Sequence, residues 1–471
     1  MSVEIWGILI YVVLQLVVAS LLLRGISSEK DYFLAGRSLG PILATFSTFA
    51  TWFGAETCMG SAGLVFRDGL SGGKADPLGY ASCLLIFGLF FAARLWKRNF
   101  ITLGDLFRER YSVSVERFAV FLMIPTSVMW AAAQIRAFGQ ILAASSGMEV
   151  MVAITVATAI VILYTAVGGL MADCVNDLVH GICLIVGMAA LVIVVVNRVG
   201  GIENVAAAIG AERLSLFPAT SDSLWHRLDK LAIPIFGSLV CQELVSRSLA
   251  SRSAKIARNA TLWAAGIYFT IGLMPVFLGL IGPAVVPDLN DPEQLLPRLA
   301  HLYLPTFLYI IFAGALVSAI LSTVDSALLA VSALFSHNVV FALHPGLSEK
   351  QKVFIARMVV LVCGIIAYSL AVFGDGIYAL VQMASSWGSS GLVVVTCFAL
   401  FGRFGSSASA LSTFAVGLFS LPIAENILEL QAPYLFSLAM STTTYVVVEL
   451  AVRGMSVASP RLAQVGLRPR R

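Results

Sequence analysis

A short apolar stretch carries four oxygen-bearing side chains within five residues: Ser322, Thr323, Asp325 and Ser326. On an α-helix Ser322 and Ser326 fall on one face, about 40° apart, with Thr323 beside them. Hard cations take oxygen ligands, and hydroxyls with backbone carbonyls suit a weakly held monovalent ion. A lone hydroxyl usually bonds back to a carbonyl one turn earlier, but this density of oxygen groups favours a cation site.

Five ionisable residues lie inside apolar stretches: Glu56, Arg136, Asp177, Glu243 and Asp325. Charged groups at membrane depth are costly and usually face a cavity or a partner. Asp177 could add negative charge to the cation site. Arg136 and Glu56 could neutralise one another, or Arg136 could hold the carboxylate of an organic acid.

Motifs of soluble enzymes fail in this chain. The stretch 69–73 matches GxSxG by letter, but it lies between apolar segments with no hydrolase helix after it. It also fails as a phosphate loop, because Asp68 stands where the first glycine must be. The seven cysteines form no CxxC pair and the five histidines show no metal spacing. We therefore expect no enzyme.

The composition indicates the medium in which these residues lie. Of 471 residues, 59% are hydrophobic and only 12% are charged, whereas soluble domains carry about 25% charged residues. Lipid is therefore the solvent for most of the surface. The net charge of +4 gives no indication of a nucleic-acid partner, and no protein partner is apparent. We expect an all-α polytopic membrane protein.

Thirteen apolar segments can be distinguished, beginning near residues 4, 41, 76, 117, 149, 174, 229, 259, 303, 353, 376, 408 and 433. Nearly all have the length of about 20 residues that a bilayer requires. Alternate connections hold 22 of the 30 lysines and arginines, including the connection 247–258. Positive charge accumulates on the cytoplasmic side, which predicts an outside N-terminus and a cytoplasmic C-terminus. The first segment, 5–23, is expected to be a retained span.

Two segments carry helix-breaking residues at membrane depth. Segment 41–66 contains Gly54, and segment 229–250 contains Pro234 and Gly237. Interrupted helices commonly form ion sites in transporters built from two inverted repeats. We therefore expect a single transporter domain, 1–471. Its predicted parts are an extra helix and linker (1–40), a first repeat (41–200), a second repeat (229–402), and two extra helices with a basic tail (403–471).

Three stretches resemble the sodium/solute symporter family. Residues 31–40 resemble the approach to its first core helix, Gly168 and Gly169 followed by Asp177 resemble the fifth, and 319–326 resemble the eighth. The resemblance runs from about residue 31 to 400. It implies a LeuT-type 5+5 inverted-repeat fold, thirteen helices, an outside N-terminus and sodium as the coupling ion.

The resemblance also implies two ion sites. The main sodium site would use three backbone carbonyls and two hydroxyls, those of Ala50, Phe53, Ala319, Ser322 and Thr323. Some family members hold a second sodium, and at those positions this chain has Asp177, Asp325 and Ser326. Asp325 is bulkier and more acidic than the serine of two-sodium members.

Within the family, the nearest likeness is to the sodium-coupled choline transporters and their bacterial relatives. Trp52, Tyr80 and Trp130 match three walls of an aromatic cage, which suits a quaternary ammonium group. Two further walls are replaced by Cys241 and Val381. The expected solute contacts are Trp52, Glu56, Thr57, Tyr80, Trp130, Arg136 and Gln242.

These observations together favour a sodium-coupled symporter in a bacterial inner membrane. It would import a small organic solute, such as a quaternary ammonium, a zwitterion or an amino-acid-like compound, by alternating access. Proton coupling is the main alternative, because Glu56, Asp177 and Asp325 could each carry a proton. A channel or a transport-derived sensor is a further alternative, but neither a repeated pore loop nor a signalling domain is visible in these residues.

Overall fold

The computed structural model describes residues 26–216, 223–374 and 376–463, together with Ile10, Val13 and Val17. The predicted first span, 5–23, lies outside the described residues except for these three. Every regular element in the described part is helical, and the one ladder-like contact pairs Leu39 with Ser251. The all-helical class is therefore confirmed.

The described residues of the first half form nine α-helices. They are α1 (Glu29–Leu34), α2 (Pro41–Trp52), α3 (Ala62–Asp68), α4 (Tyr80–Ile86), α5 (Ala92–Trp96), α6 (Gly104–Arg110), α7 (Val113–Ser146), α8 (Val150–Val199) and α9 (Ile202–Ala208). Wider π-helical turns join several of them: Glu56–Ser61, Ala75–Gly79 and Phe87–Phe91. Short 3-10 turns cover Ala35–Arg37, Gly69–Lys74 and Ala211–Leu214.

The second half, as far as the structure describes it, forms ten more. They are α10 (Leu224–Ala232), α11 (Gln242–Ala250), α12 (Ala254–Val285), α13 (Leu295–Tyr303), α14 (Thr306–Phe335), α15 (Glu349–Phe373), α16 (Ile377–Ser386), α17 (Ser389–Phe401), α18 (Ser407–Asn426) and α19 (Pro433–Ala463). π-Helical turns cover Ile233–Gly237 and Ser336–Phe341, and a 3-10 turn covers Pro292–Gln294.

The described residues contain eight continuous helical segments that are long and apolar enough to cross a membrane: Glu56–Trp96, Val113–Ala143, Gly168–Val199, Ala254–Val285, Thr306–Phe341, Glu349–Phe373, Ser407–Asn426 and Pro433–Gly454. A pair bent by 42°, α16 with α17, would make nine. The chain is thus polytopic as predicted, while the number thirteen stays a prediction. Several expected segments fall in broken or short helices, such as Val150–Leu163.

Both segments predicted to be interrupted are broken. α2 ends at Trp52, Phe53 has a non-helical φ of −89° and ψ of 64°, and the chain resumes as a π-helical turn at Glu56. Gly54 lies in this break, where an added Cβ would come within 2.8 Å of the Gln134 and Glu56 side chains. In the second segment, residues 238–241 separate a π-helical turn from α11.

The two broken segments meet at one end of the bundle. The Leu39 N–H donates to the Ala250 carbonyl at 3.1 Å, and the Arg252 N–H donates to the Leu39 carbonyl at 2.9 Å. These bonds hold the start of α2 against the end of α11. Between the broken segments, α14 packs along α7 and α8, and α2 packs along α8 and α12.

One charge assignment was wrong. The sequence placed Arg247 in a positively charged connection, but the structure places it inside α11 with 1% of its side chain exposed. Hydropathy assigns an arginine among polar residues to a connection between spans, which is why Arg247 was placed outside the helix. Its carboxylate partners come from α8, which local sequence does not reveal.

Candidate functional site

The Thr323 hydroxyl lies at the point where α14 passes the break after α2. It donates to the Ala319 carbonyl at 3.0 Å, and it lies 3.2 Å from the Thr51 carbonyl and 3.5 Å from the Ala50 carbonyl. The structure therefore brings three of the predicted main-site groups together, those of Ala50, Ala319 and Thr323. Phe53, the fourth, follows directly at the break. The oxygen atoms gathered here are of the kind that a small hard cation binds.

Ser322 turns toward an aspartate. Its hydroxyl donates to Asp177 Oδ1, and the Ser47 hydroxyl donates to Asp177 Oδ2 at 2.5 Å. All three side chains are buried. Asp177 is therefore held between α2 and α14.

A buried guanidinium lies among the predicted second-site residues. Arg247 Nη2 donates to Asp173 Oδ2 at 2.6 Å and to the Ser326 hydroxyl, and it lies 3.7 Å from Asp177 Oδ2. The Ser326 hydroxyl also lies 3.0 Å from Asp173 Oδ2. Asp325 is fully buried, but it makes no hydrogen bond to these four residues in the described part of the chain. The structure thus brings Asp177 and Ser326 together around Arg247 and leaves Asp325 outside that cluster.

Three aromatic rings form a buried group. The Trp52 and Trp130 ring centroids are 5.7 Å apart, and those of Tyr80 and Trp130 are 6.3 Å apart. The indole N–H groups of Trp52 and Trp130 have no hydrogen-bond partner within the described residues. The three predicted walls of the cage therefore do meet, as rings from α2, α4 and α7. We refer to Trp52, Tyr80 and Trp130 as the aromatic group.

Two cavities flank the aromatic group. The open cavity, about 600 Å³, reaches from surface residues such as Arg67 and Lys230 down to Tyr80. The inner cavity, which has room for about one water molecule, is lined by Thr51, Trp52, Trp130, Glu243 and Thr323. The aromatic group therefore lies between an open approach and the Thr323 hydroxyl.

Glu56 and Thr57 join a buried polar chain beside the break. Gln134 Nε2 donates to Glu56 Oε2 at 2.6 Å, and the Thr57 and Tyr268 hydroxyls are 2.7 Å apart. The Tyr268 hydroxyl then donates to Asp76 Oδ1 at 2.8 Å, while Asp76 Oδ2 has no partner among the described residues. The two carboxylates therefore have hydroxyl and amide neighbours but form no ion pair within the described chain.

Two predicted solute contacts, Arg136 and Gln242, are hydrogen-bonded to other parts of the protein. Arg136 Nη1 donates to the Ala371 and Gly374 carbonyls, each at 3.0 Å, so the suggested pairing with Glu56 is wrong. Helix ends expose such carbonyls, and a guanidinium satisfies two of them at once. Gln242 accepts from the Leu103 N–H at 2.8 Å and donates to the Ser246 hydroxyl at 2.9 Å.

Sequence reasoning missed the positions of three residues: Asp76, Glu243 and Arg247. Asp76 stands at the start of the third predicted apolar segment and was not counted among its buried ionisable residues, although only 4% of its surface is exposed. Sequence reasoning identified Glu243 as an ionisable residue in an apolar stretch, but it gave Glu243 no place in the site. Its place beside Trp52 and Trp130 depends on helix packing.

Comparisons with known proteins agree with this geometry. A sequence model described as "Sodium:solute symporter family" matches residues 32–417. The chain is 27% identical over 375 residues to the high-affinity choline transporter 1 of Caenorhabditis elegans, covering 75% of this chain and 64% of that transporter. It is 24% identical over 337 residues to the sodium/pantothenate symporter of Escherichia coli (strain K12), covering 68% of each.

Among solved structures, a Na⁺-coupled sialic acid symporter in a substrate-bound outward-open state superposes with a TM-score of 0.82. The two chains are 17% identical, and the match covers 95% of this chain and 96% of that one. This similarity concerns the fold, which is that of a LeuT-like transporter. Because the family match covers most of the sequence and the helical fold agrees with it, this chain belongs to the sodium:solute symporter family, whose members are transporters rather than enzymes.

Proposed function

We propose that this chain is a symporter that imports a small organic solute together with sodium by alternating access. The observation that carries the proposal is the inner cavity, where the aromatic rings of Trp52 and Trp130 and the Thr323 hydroxyl line one space. Solute and ion would then bind side by side at the break after α2. Sites between broken helices at mid-membrane are typical of such transporters.

The proposed main sodium site consists of the Ala50, Phe53 and Ala319 carbonyls with the Ser322 and Thr323 hydroxyls. Sodium there would bind the Ala50 and Phe53 carbonyls at the break together with groups of α14, and this would stabilise the unwound segment at Gly54. The proposed solute site is the aromatic group together with Glu56 and Thr57. A second sodium near Asp177, Asp325 and Ser326 is the alternative to a single-ion cycle, but Arg247 would compete with that ion for Asp177.

We further propose the thirteen-span organisation, with an outside N-terminus, a cytoplasmic C-terminus and a bacterial inner membrane as the location. Its parts would be 1–40, a first repeat 41–200, a second repeat 229–402, and 403–471. Two observations support the repeats. Both opening helices are broken, and the Leu39–Ala250 and Arg252–Leu39 bonds join them at one end of the bundle.

The sodium gradient and the membrane potential would drive the cycle. Each charge that moves inward across 100 mV contributes about 2.3 kcal/mol. The open cavity would admit the solute to Tyr80, and sodium at Thr323 would hold the break in the binding conformation. The bundle would then rock to release both on the other side.

Uptake into proteoliposomes tests the proposal. Purified protein is reconstituted, and a panel of labelled solutes is supplied with sodium or with potassium outside. We expect accumulation of at least one panel member above its external concentration only with an inward sodium gradient. Empty liposomes are the control, and equal uptake with either cation for all solutes would contradict sodium coupling.

Proton coupling is the second candidate, because Glu56 and Asp76 are buried without a basic partner in the described chain. It predicts accumulation driven by an inward proton gradient in sodium-free buffer. The same proteoliposomes distinguish the two, since only one gradient at a time is imposed.

A further inference from the structure

The carboxylate of Glu243, on the wall of the inner cavity, has no role in the sites described above. Glu243 lies at the first turn of α11, with 5% of its surface exposed. It lines the inner cavity together with Trp52, Trp130, Thr51 and Thr323. Its Oε1 atom has no hydrogen-bond partner within the described residues. A buried acceptor left without a partner costs free energy unless something else satisfies it.

Arg247 on the same helix does not form an ion pair with this carboxylate. Arg247 lies one turn further along α11, and its Nη1 donates to the backbone carbonyl of Glu243 at 3.3 Å. Its other terminal nitrogen is engaged by Asp173 and Ser326. In the described chain, Glu243 has no cationic nitrogen within ion-pair distance, since the ion pairs of Arg247 are to Asp173 and Asp177.

The surroundings favour positive charge and disfavour negative charge. The faces of aromatic rings attract cations, by about 0.5–2 kcal/mol per contact once water is removed. A desolvated carboxylate adds to that attraction, because charges interact more strongly at low dielectric constant. Glu56 and Asp76 are two more buried acids near Tyr80, while the Arg136 guanidinium is bonded to the Ala371 and Gly374 carbonyls at the end of α15.

We propose that Glu243 is the counter-ion for the cationic group of the solute, lying opposite the Trp52 and Trp130 rings. This inference rests on the proposed symport function and narrows its substrate class. The solute carries a net positive charge as an alkyl or quaternary ammonium, and zwitterions and organic acids are excluded. The inner cavity would widen around the ammonium group when the solute binds.

Four chemically matched probes test the assignment: choline, its neutral carbon isostere 3,3-dimethylbutan-1-ol, glycine betaine and pantothenate. Affinity is measured in sodium by tryptophan fluorescence of the whole protein in detergent, and uptake by proteoliposomes. We expect wild type to bind choline about 10-fold or more tightly than the isostere. Glu243→Gln should weaken choline by about the same factor while leaving the isostere within about twofold.

Two variants control for structural effects. Glu243→Asp keeps the charge and should recover most of the choline affinity, whereas Glu425→Gln removes an exposed carboxylate of α18 and should change nothing. Retained binding of the neutral isostere shows that Glu243→Gln is folded.

Several outcomes would overturn the inference alone. They are equal binding of choline and its isostere to wild type, an unchanged choline affinity in Glu243→Gln, an equal loss for both probes, or sodium-driven uptake of betaine or pantothenate in preference to choline. If no solute shows sodium-dependent uptake, the proposed symport function itself fails. This outcome differs from those that overturn only the role of Glu243.

Discussion

At the scale of single residues, the Thr323 hydroxyl connects the two helices that would hold the ion. It reaches carbonyls of its own helix and of the break after α2. We expect Thr323→Ala to lower the apparent sodium affinity about 10-fold, since a lost ligand to a charged group is worth about 1.5 kcal/mol. Solute affinity at saturating sodium should change little.

The measurement for Thr323 is sodium activation of uptake in proteoliposomes. Thr442→Ala is the matched control, because Thr442 is exposed and its hydroxyl donates only to the Leu438 carbonyl one turn earlier. Identical sodium curves for wild type and Thr323→Ala would rule out the main-site assignment.

Replacing Arg247 should strongly reduce the stability of the folded protein. Its guanidinium neutralises Asp173 and lies near Asp177, and all three are buried. Removing one member of a buried ion pair costs about 3–5 kcal/mol, because the remaining charge stays unpaired. We therefore expect Arg247→Gln to lower the midpoint of thermal unfolding in detergent markedly.

Arg252→Gln serves as the comparison, since Arg252 is exposed and donates to the Ser38 carbonyl at 3.2 Å. Adding Asp173→Asn to Arg247→Gln should restore part of the lost stability. If the double variant is no more stable than Arg247→Gln, the buried charge is not the cause.

At the scale of elements, α17 and α18 approach each other through two glycines. A Cβ on Gly417 would lie 2.4 Å from the Gly391 backbone nitrogen, and a Cβ on Gly391 would lie 2.8 Å from the Thr413 carbonyl oxygen. Small residues let membrane helices pack this closely. We expect Gly417→Ala to destabilise the protein by about 1–3 kcal/mol, the usual cost of overpacking.

Gly266→Ala on α12 is the control for Gly417→Ala, because a Cβ there meets no atom within 4 Å. Unfolding midpoints of both variants in the same detergent make the comparison. Equal midpoints would contradict the close contact between α17 and α18.

A second element-level contact joins α1, α6 and the turn that follows α14. His337 Nδ1 lies 2.5 Å from Glu29 Oε1, and its Nε2 lies 3.0 Å from Asp105 Oδ1. Burial alone would raise the pKa of the Asp105 carboxyl. The bonds from His337 and from the Ile101 and Thr102 N–H groups outweigh it and hold this pKa below the usual value.

A carboxyl with a lowered folded-state pKa stabilises the fold above its unfolded pKa, and this stability is lost as the pH falls through the folded pKa. We therefore expect wild type to lose stability below about pH 4, near the unfolded value for aspartate. Asp105→Asn should be less stable at neutral pH, and its stability should depend less on pH in that range. Thermal unfolding between pH 3 and 7 measures both, and parallel curves would contradict the assignment.

At the scale of the whole molecule, charge movement reports how many ions accompany the solute. Arg247 already supplies a positive charge to Asp173 and Asp177. Because a second sodium would have to compete with this guanidinium, we expect one sodium per solute. For a solute of charge +1, about two charges should then cross per transported molecule. The reversal potential in proteoliposomes with set sodium and solute gradients gives this ratio. A ratio near three would place a second sodium with Asp177 and Ser326.

Hydropathy, breaker residues and hydroxyl spacing allowed much of this protein to be predicted. The low charge content predicted the helical membrane fold, Gly54 predicted the first break, and the density of oxygen groups in 319–326 predicted a cation site. These features are local, because lipid as solvent and helix periodicity act on each segment separately. That Thr323 lies near the carbonyls of the first break was implied by the family resemblance instead, and so was the meeting of Trp52, Tyr80 and Trp130.

Which buried charges meet was decided by the tertiary structure. Arg247 pairs with Asp173, 74 residues away in sequence, and Glu56 accepts from Gln134 rather than from Arg136. Glu243 lines the inner cavity only because α11 follows a break that turns its first residues toward Trp130. Hydropathy shows that such residues lie in apolar segments, but their partners depend on how distant helices pack, and no local pattern encodes that arrangement.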